Sequence, residues 1–156
     1  MKFPNQEMMN NWWIHAQVDP TVYPYLSMSK YSKAIEVVAD TWNTYNMMDK
    51  SERGLLSLSF DRSRDSASLA LWVLNCKEKP FIAGTLIRLI PEILRRTGLK
   101  YLNSNVHESN IYSRNITEKY LGPHWGVEPK SAWNALSGVM EDTYYYRCRT
   151  EDLGKR

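Results

Sequence analysis

The stretch "VHESNIYSRNITEKYLG", residues 106–122, decides how this chain is read. Val106 closes "LKYLNSNV", a run that reads as a strand, and Asn110 belongs to the residue types that cap a helix by accepting a backbone N–H. The segment "NIYSRNITEKYLG" then predicts a helix stopped by Gly122.

Upstream of it, "TLIRLIPEILRRTG" places Ile82, Leu86, Leu89, Ile90, Ile93 and Leu94 on one face of a predicted helix. Arg95 and Arg96 suit its C-terminal dipole, Gly98 its stop, and Pro91 predicts a kink inside it. Before that helix, "GLLSLSF" and "SASLALWVL" flank the polar "DRSRD" and predict an antiparallel hairpin near the middle of a sheet. Strand, crossover helix and strand over residues 67–106 imply one parallel pair in an otherwise antiparallel sheet. Two parallel strands that diverge at their carboxyl ends make a cleft.

At the other end of the chain, "SAWNALSG" and "MEDTYYYRCRT" predict a final hairpin around Gly138 and Val139. The N-terminal "NQEMMNNWWIHAQV" places Met8, Met9, Trp12, Trp13 and Ala16 at helical spacing, before Pro20 and Pro24 favour extended chain. Residues 29–48 fit a helix by Ala34, Val38, Trp42 and Tyr45, and a strand by Ile35, Val37, Ala39 and Thr41; a helix followed by a strand is the expectation. The whole is an α/β (α+β) architecture: a mixed, mostly antiparallel sheet with a diverging parallel pair, flanked by helices.

Composition sets the outer limits. The chain has 156 residues, enough for one domain over 1–156 with a two-layer core. A net charge of +3 is far from the basic stripe of a dedicated nucleic-acid binder, and Arg88, Arg95 and Arg96 read as the solvated side of an amphipathic helix rather than a DNA contact. Cys76 and Cys148 stand in no metal or disulfide spacing, and His15 and His124 have no partners at ligand spacing, so no metal is expected. No apolar run is long enough to span a bilayer and the N-terminus lacks a signal-like core, so a soluble, cytoplasmic protein is expected. Trp12, Trp13, Tyr23, Tyr25 and Trp42 crowd the first third; most read as core, but the adjacent Trp pair cannot share one narrow stripe, and an aromatic surface for a protein partner is an expectation.

The order of elements, together with Asn110, Ser113, Arg114, Glu118, Lys119 and Gly122, resembles the GNAT superfamily of N-acetyltransferases. The match is most similar to the branch that acetylates ribosomal-protein N-termini, with one extra residue here before the Gly. The ending "GVMEDTYYYRCRTEDL" is similar to the last strand of many GNAT proteins, and the resemblance covers roughly residues 54–153.

The resemblance implies acetyl-CoA as the donor of an acetyl group to a primary amine. It implies that Asn110 and Ser113 meet the pantetheine arm, and that main-chain groups of Phe81, Ile82, Ala83, Gly84 and Thr85 hold the pyrophosphate. The family's loop, Q/R-x-x-G-x-G/A, aligns with "EKPFIA": Glu78 stands where Arg or Gln is usual, Phe81 where the first Gly is usual, and Ala83 matches. Gly84 is an alternative close-approach residue, with Lys77, Lys79 and Arg88 near in sequence as compensating charge. The family's thiolate-protonating Tyr aligns with Thr117, a poor acid, while Tyr112 and Tyr120 share the helix at other angles. His107 and Glu108, just past a strand end, are the candidate bases. Glu118 and Lys119 read as a solvated pair.

A second expectation follows from the eroded loop. Small tailed-phage proteins of head assembly and the internal virion are similar in their GNAT fold, worn pyrophosphate loop and a proline-rich segment like Pro20 to Tyr25. That resemblance implies a catalytically inactive, protein-binding pseudoenzyme acting in bacteriophage virion assembly.

Overall fold

The structure, a computed structural model, describes residues 3–25, 44–63 and 65–155. Helix α1 spans Gln6–Ala16, and Asn5 caps it by accepting from the Met8 amide. Strands β1 (Thr44–Met48), β2 (Gly54–Phe60) and β3 (Ser66–Val73) follow, then helices α2 (Lys79–Ile87) and α3 (Ile90–Thr97). Strand β4 (Tyr101–His107), helix α4 (Ile111–Leu121) and strands β5 (Gly126–Asn134) and β6 (Val139–Arg149) complete the order. The expected strand after the ambiguous segment is β1; the rest of that expectation, residues 29–43, lies outside the described residues.

The sheet runs β1-β2-β3-β4-β6-β5 and every neighbouring pair is antiparallel except β3 with β4. The crossover from β3 to β4 carries α2 and α3, as the spacing of the two strands requires. Alternation along each strand sorts the apolar side chains onto two faces. Met47, Leu56, Leu58, Leu102, Val106 and Tyr146 pack with Ile82, Leu86 and Leu121 of the helices. Met48 and Leu55 turn the other way and pack with Met9, Trp12 and Ala16 of α1.

Two elements differ from the expectation. The kinked helix is two helices, joined at Arg88 and Leu89, and it begins six residues before Thr85, at Lys79. Pro91 sits in the first turn of α3 and Pro80 in the first turn of α2, where a missing N–H costs no ladder bond. The proline thus starts a helix rather than bending one. The expected stop at Gly98 is present, with φ 69° in the left-handed region.

Helix α2 rests very close on the sheet, and one glycine permits it. A Cβ on Gly54 would stand 2.6 Å from Ile82 Cγ2 and 2.7 Å from Leu86 Cδ1. The turn before Gly54 is pinned by Asp49, whose Oδ1 accepts from the amides of Arg53 at 3.0 Å and Gly54 at 2.8 Å.

Candidate functional site

The parallel ladder is short. It joins Ser66 to Tyr101, Ala67 to Leu102 and Ser68 to Asn103, after which β3 continues to Val73 and β4 to His107 without pairing to each other. At the point of separation Ser104 Oγ donates to the Leu69 carbonyl at 3.4 Å. The expected diverging pair is therefore present, and it opens a cavity of about 300 Å³. Its floor is Leu69, Leu71, Val73 and Ser104; one wall is Lys79, Ala83 and Ile87 of α2, the other Ser113, Ile116, Thr117 and Tyr120 of α4, with Asn110 and Tyr112 at the start of that helix.

Asn110 caps α4, its Oδ1 accepting from the Ser113 amide at 3.3 Å. Strand β4 leads into that cap through a turn closed by Asn110 N–H to the His107 carbonyl at 3.0 Å, so the helix start is held against the strand end. Of the sequence-predicted site residues, Asn110, Ser113, Thr117 and Ala83 line the cavity, while Phe81, Ile82, Gly84 and Thr85 do not. Thr117 is buried there. Tyr112 and Tyr120, unlike Thr117, bring phenolic hydroxyls to the same cavity, and burial pushes the Tyr112 phenol up.

Residues 81–85 are not a loop. They lie within α2, where the amides of Ala83, Gly84 and Thr85 belong to the helical ladder. The Lys79 N–H donates to the Cys76 carbonyl at 3.2 Å, the Ile82 N–H to the Glu78 carbonyl at 2.9 Å, and Pro80 has none. Phe81 points its ring out, 70% exposed, and Ile82 is in the core. Gly84 needs no close approach, since a Cβ there would meet only Arg88 Nη2, at 3.7 Å. Of the residues expected to give a backbone cradle, Ile82 to Thr85 have their amides in the helical ladder, while Phe81 lies in the first turn of the helix, where amides have no intrahelical acceptor. Pro80 was the signal in the sequence, a helix-starting residue four positions before Gly84.

His107 lies elsewhere. Its neighbour Val106 belongs to the helix-side core, so His107 points to the opposite face of the sheet, away from the cavity wall. There it is buried: Nδ1 is 3.0 Å from Glu141 Oε1, the Tyr25 ring stands edge-on at 5.2 Å, and among the described residues Nε2 has no hydrogen-bond partner. Ser109 Oγ donates to the same Glu141 oxygen at 2.8 Å and accepts from Asn134 Nδ2 at 3.4 Å. Burial pushes the His107 imidazole below its ordinary value, against the pull of Glu141. In the neutral ring, a carboxylate that only accepts places the proton on Nδ1 and leaves a lone pair on Nε2. Glu108 is exposed on the following turn, its carbonyl accepting from Arg114 Nη1 at 3.0 Å.

Sequence reasoning missed Glu141, which looked like an ordinary residue of a strand start. It also read Glu118 as a solvated partner of Lys119, whereas Glu118 accepts from the buried Tyr146 hydroxyl at 3.2 Å and Lys119 lies over the Tyr120 ring. Arg114 stacks on Tyr144, with its guanidinium carbon 3.9 Å from the ring centre. Among the described residues no group of three or more His, Cys, Asp or Glu could hold a metal ion, and no helix is long and apolar enough to cross a membrane.

No protein-family model matches the sequence, and no curated protein does. Solved structures do match. RimJ of Mycobacterium smegmatis, solved in complex with CoA-disulfide, superposes with a TM-score of 0.69 at 14% identity, over 96% of this chain and 80% of that one. The ribosomal-protein alanine N-acetyltransferase of Escherichia coli gives 0.59 at 15% identity, over 71% and 72%. The spermidine/spermine N-acetyltransferase SpeG of Vibrio cholerae gives 0.57 at 16% identity, and this chain spans 65% of its length. At these identities the likeness is one of fold. The chain has a GNAT-like fold, an α/β domain with a six-stranded, mostly antiparallel sheet. None of these neighbours supports a phage origin.

Proposed function

We propose that this chain transfers an acyl group, acetyl in the simplest case, from a CoA thioester to a primary amine in the cytoplasm. The observation that carries the reading is the parting of β3 and β4 beyond Ser68 and Asn103, which opens a cavity walled by Asn110, Ser113 and Ala83. Strand edges left unpaired there offer backbone groups to an amide-bearing arm such as pantetheine. CoA fits the cavity by its arm; its phosphates would have to be held by something other than the backbone amides of residues 82–85, which belong to the helix.

The thioester would supply an activated acyl carbonyl. The amine nitrogen attacks that carbon, a C–N bond forms, the C–S bond breaks, the nitrogen gives up a proton and the sulfur gains one. We assign the first proton to His107 Nε2, on the face away from α4, with Tyr25 moving aside as the amine arrives. Glu108 is the weaker candidate, being exposed and turned to solvent. Thr117 can position the sulfur, but its hydroxyl is a poor acid, and Tyr112 or Tyr120 is the better proton donor.

Calorimetric titration with acetyl-CoA, with desulfo-CoA as control, tests the reading. Micromolar binding, about −8 kcal/mol, is expected. No heat and no thermal shift would favour a second reading, a GNAT-fold protein that binds other proteins without catalysis; the helix wall in place of a backbone cradle is the observation on that side.

A further inference from the structure

The cavity between α2 and α4 changes character along its length. Asn110, Ser113, Thr117 and Leu121 follow one another at three- and four-residue spacing on its α4 wall, and Lys79, Ala83 and Ile87 do so on its α2 wall. Both walls thus run from polar side chains at the helix starts to apolar ones at the helix ends. Past Ile87 the lining continues with Ile90 and Pro91 of α3, and the C-terminal segment adds Leu153. That segment is tied down at the Gly154 N–H, which donates to the Tyr120 carbonyl at 3.0 Å. Arg88 and Tyr120 are the polar side chains that the described residues bring to this half, and Arg88 is exposed.

The sheet beneath is incompletely covered. Strand β3 lies between β2 and β4, where apolar side chains under helices are ordinarily buried, yet Leu69 and Leu71 are only half-buried. Ile116 of α4 and Leu153, which also line the cavity, are half-buried in the same way, although all four pack against the main core. Apolar surface from a strand, a helix and the C-terminal segment therefore faces the cavity rather than other protein atoms. A ligand that covered it would have to be apolar at that end.

We propose that this apolar half takes the tail of an acyl group longer than acetyl, which makes the donor a medium-chain acyl-CoA. The inference rests on the CoA-thioester reading above, with the arm passing Asn110 and Ser113 and the sulfur at Thr117. An acetyl group would end beside Thr117 and leave the apolar half uncovered. From Thr117 to Leu121 the helix rises about 6 Å. That is the reach of about four methylenes at ordinary carbon–carbon distances, so hexanoyl is the expected fit.

Calorimetric titration of the full chain with acetyl-, butyryl-, hexanoyl- and decanoyl-CoA tests it. Affinity is expected to rise about fourfold per methylene from acetyl to hexanoyl and to level off by decanoyl. Leu153→Trp, which puts a ring into the far end, should remove the rise and leave acetyl-CoA bound as in the wild type. Leu153→Ala should extend the rise to longer chains. Equal binding of acetyl-CoA and hexanoyl-CoA by the wild type, or a rise that both Leu153 variants leave untouched, would overturn the inference while leaving the donor reading intact. Binding of none of the esters would sink the donor reading, and this inference with it.

Discussion

Glu141 on β6 holds the His107 ring at the end of β4 through a 3.0 Å contact with Nδ1, and leaves Nε2 buried with no hydrogen-bond partner among the described residues. A buried lone pair of this kind costs about 1–3 kcal/mol when nothing satisfies it. The fold tolerates that cost where the residue has work to do or where the surrounding packing over-determines it.

The pair predicts a pH dependence of stability. Burial depresses the His107 pKa in the folded state, with Glu141 opposing, so the folded chain binds fewer protons at this site than the unfolded chain. The contribution is fully present above the ordinary histidine value of about 6.5 and is lost as pH falls below it. Among the described residues, Tyr25 packs on the ring, Thr143 faces His107 across the ladder, and Ser109 bonds to Glu141 and Asn134; these are neutral, leaving Glu141 as the charged neighbour. Urea unfolding at pH 7.5 and 5.5 should show a drop in midpoint that His107→Gln reduces; an unchanged drop in the variant would assign the dependence to other groups.

Two glycines should respond in opposite directions. Gly54→Ala forces a Cβ into Ile82 and Leu86 and is expected to destabilise by about 1–3 kcal/mol. Gly84→Ala has room and removes a helix-interior glycine, so it should stabilise by about 0.5–1 kcal/mol. Thermal or urea melts of both variants decide the matter, and a destabilised Gly84→Ala would mean that the helix wall is packed differently.

Asn110 serves α4 and, by proposal, the donor, and the two roles separate. Asn110→Ala should cost about 1 kcal/mol through the lost cap to the Ser113 amide. Asn110→Asp keeps the capping oxygen and lacks the amide donor, so it should retain stability and weaken CoA in titration. Unaltered CoA affinity in Asn110→Asp would confine Asn110 to capping.

Asp49 should be a stability residue with no bearing on ligand. Its carboxyl gathers the amides of Ser51, Arg53 and Gly54, and Asp49→Ala should cost about 1–3 kcal/mol. Burial pushes its pKa up, but the hydrogen bonds from Ser51, Gly54 and Arg53 outweigh this and hold it below 3.8. Its contribution is therefore present above the ordinary aspartate value and fades only as pH falls through the lower folded one. A melt showing Asp49→Ala as stable as the wild type at neutral pH would refute the assignment.

Much of this was legible because it depends on neighbours in sequence. The β2–β3 hairpin, the α4 cap at Asn110 and the stop at Gly98 each rest on a few consecutive residues whose chemistry allows little else. The start of α2 was misread because Gly84 and Ala83 were fitted to a loop pattern, while Pro80, the local signal, went unweighed. The Glu141 contact with His107 joins residues 34 apart, and no periodicity marks such a pair.

By itself the sequence determined the element types, the crossover that makes β3 and β4 parallel, and the capped helix beside their ends, since propensity, caps and alternation act over a turn or a few residues. Only the tertiary structure decided which candidates share a site. Strand alternation turns Val106 toward the helices and His107 away from them, and the parting of β3 from β4 brings Lys79 and Ala83 opposite Asn110 and Ser113. Those are consequences of register and of helix placement on the sheet, which Gly54 permits by giving α2 room to approach β2.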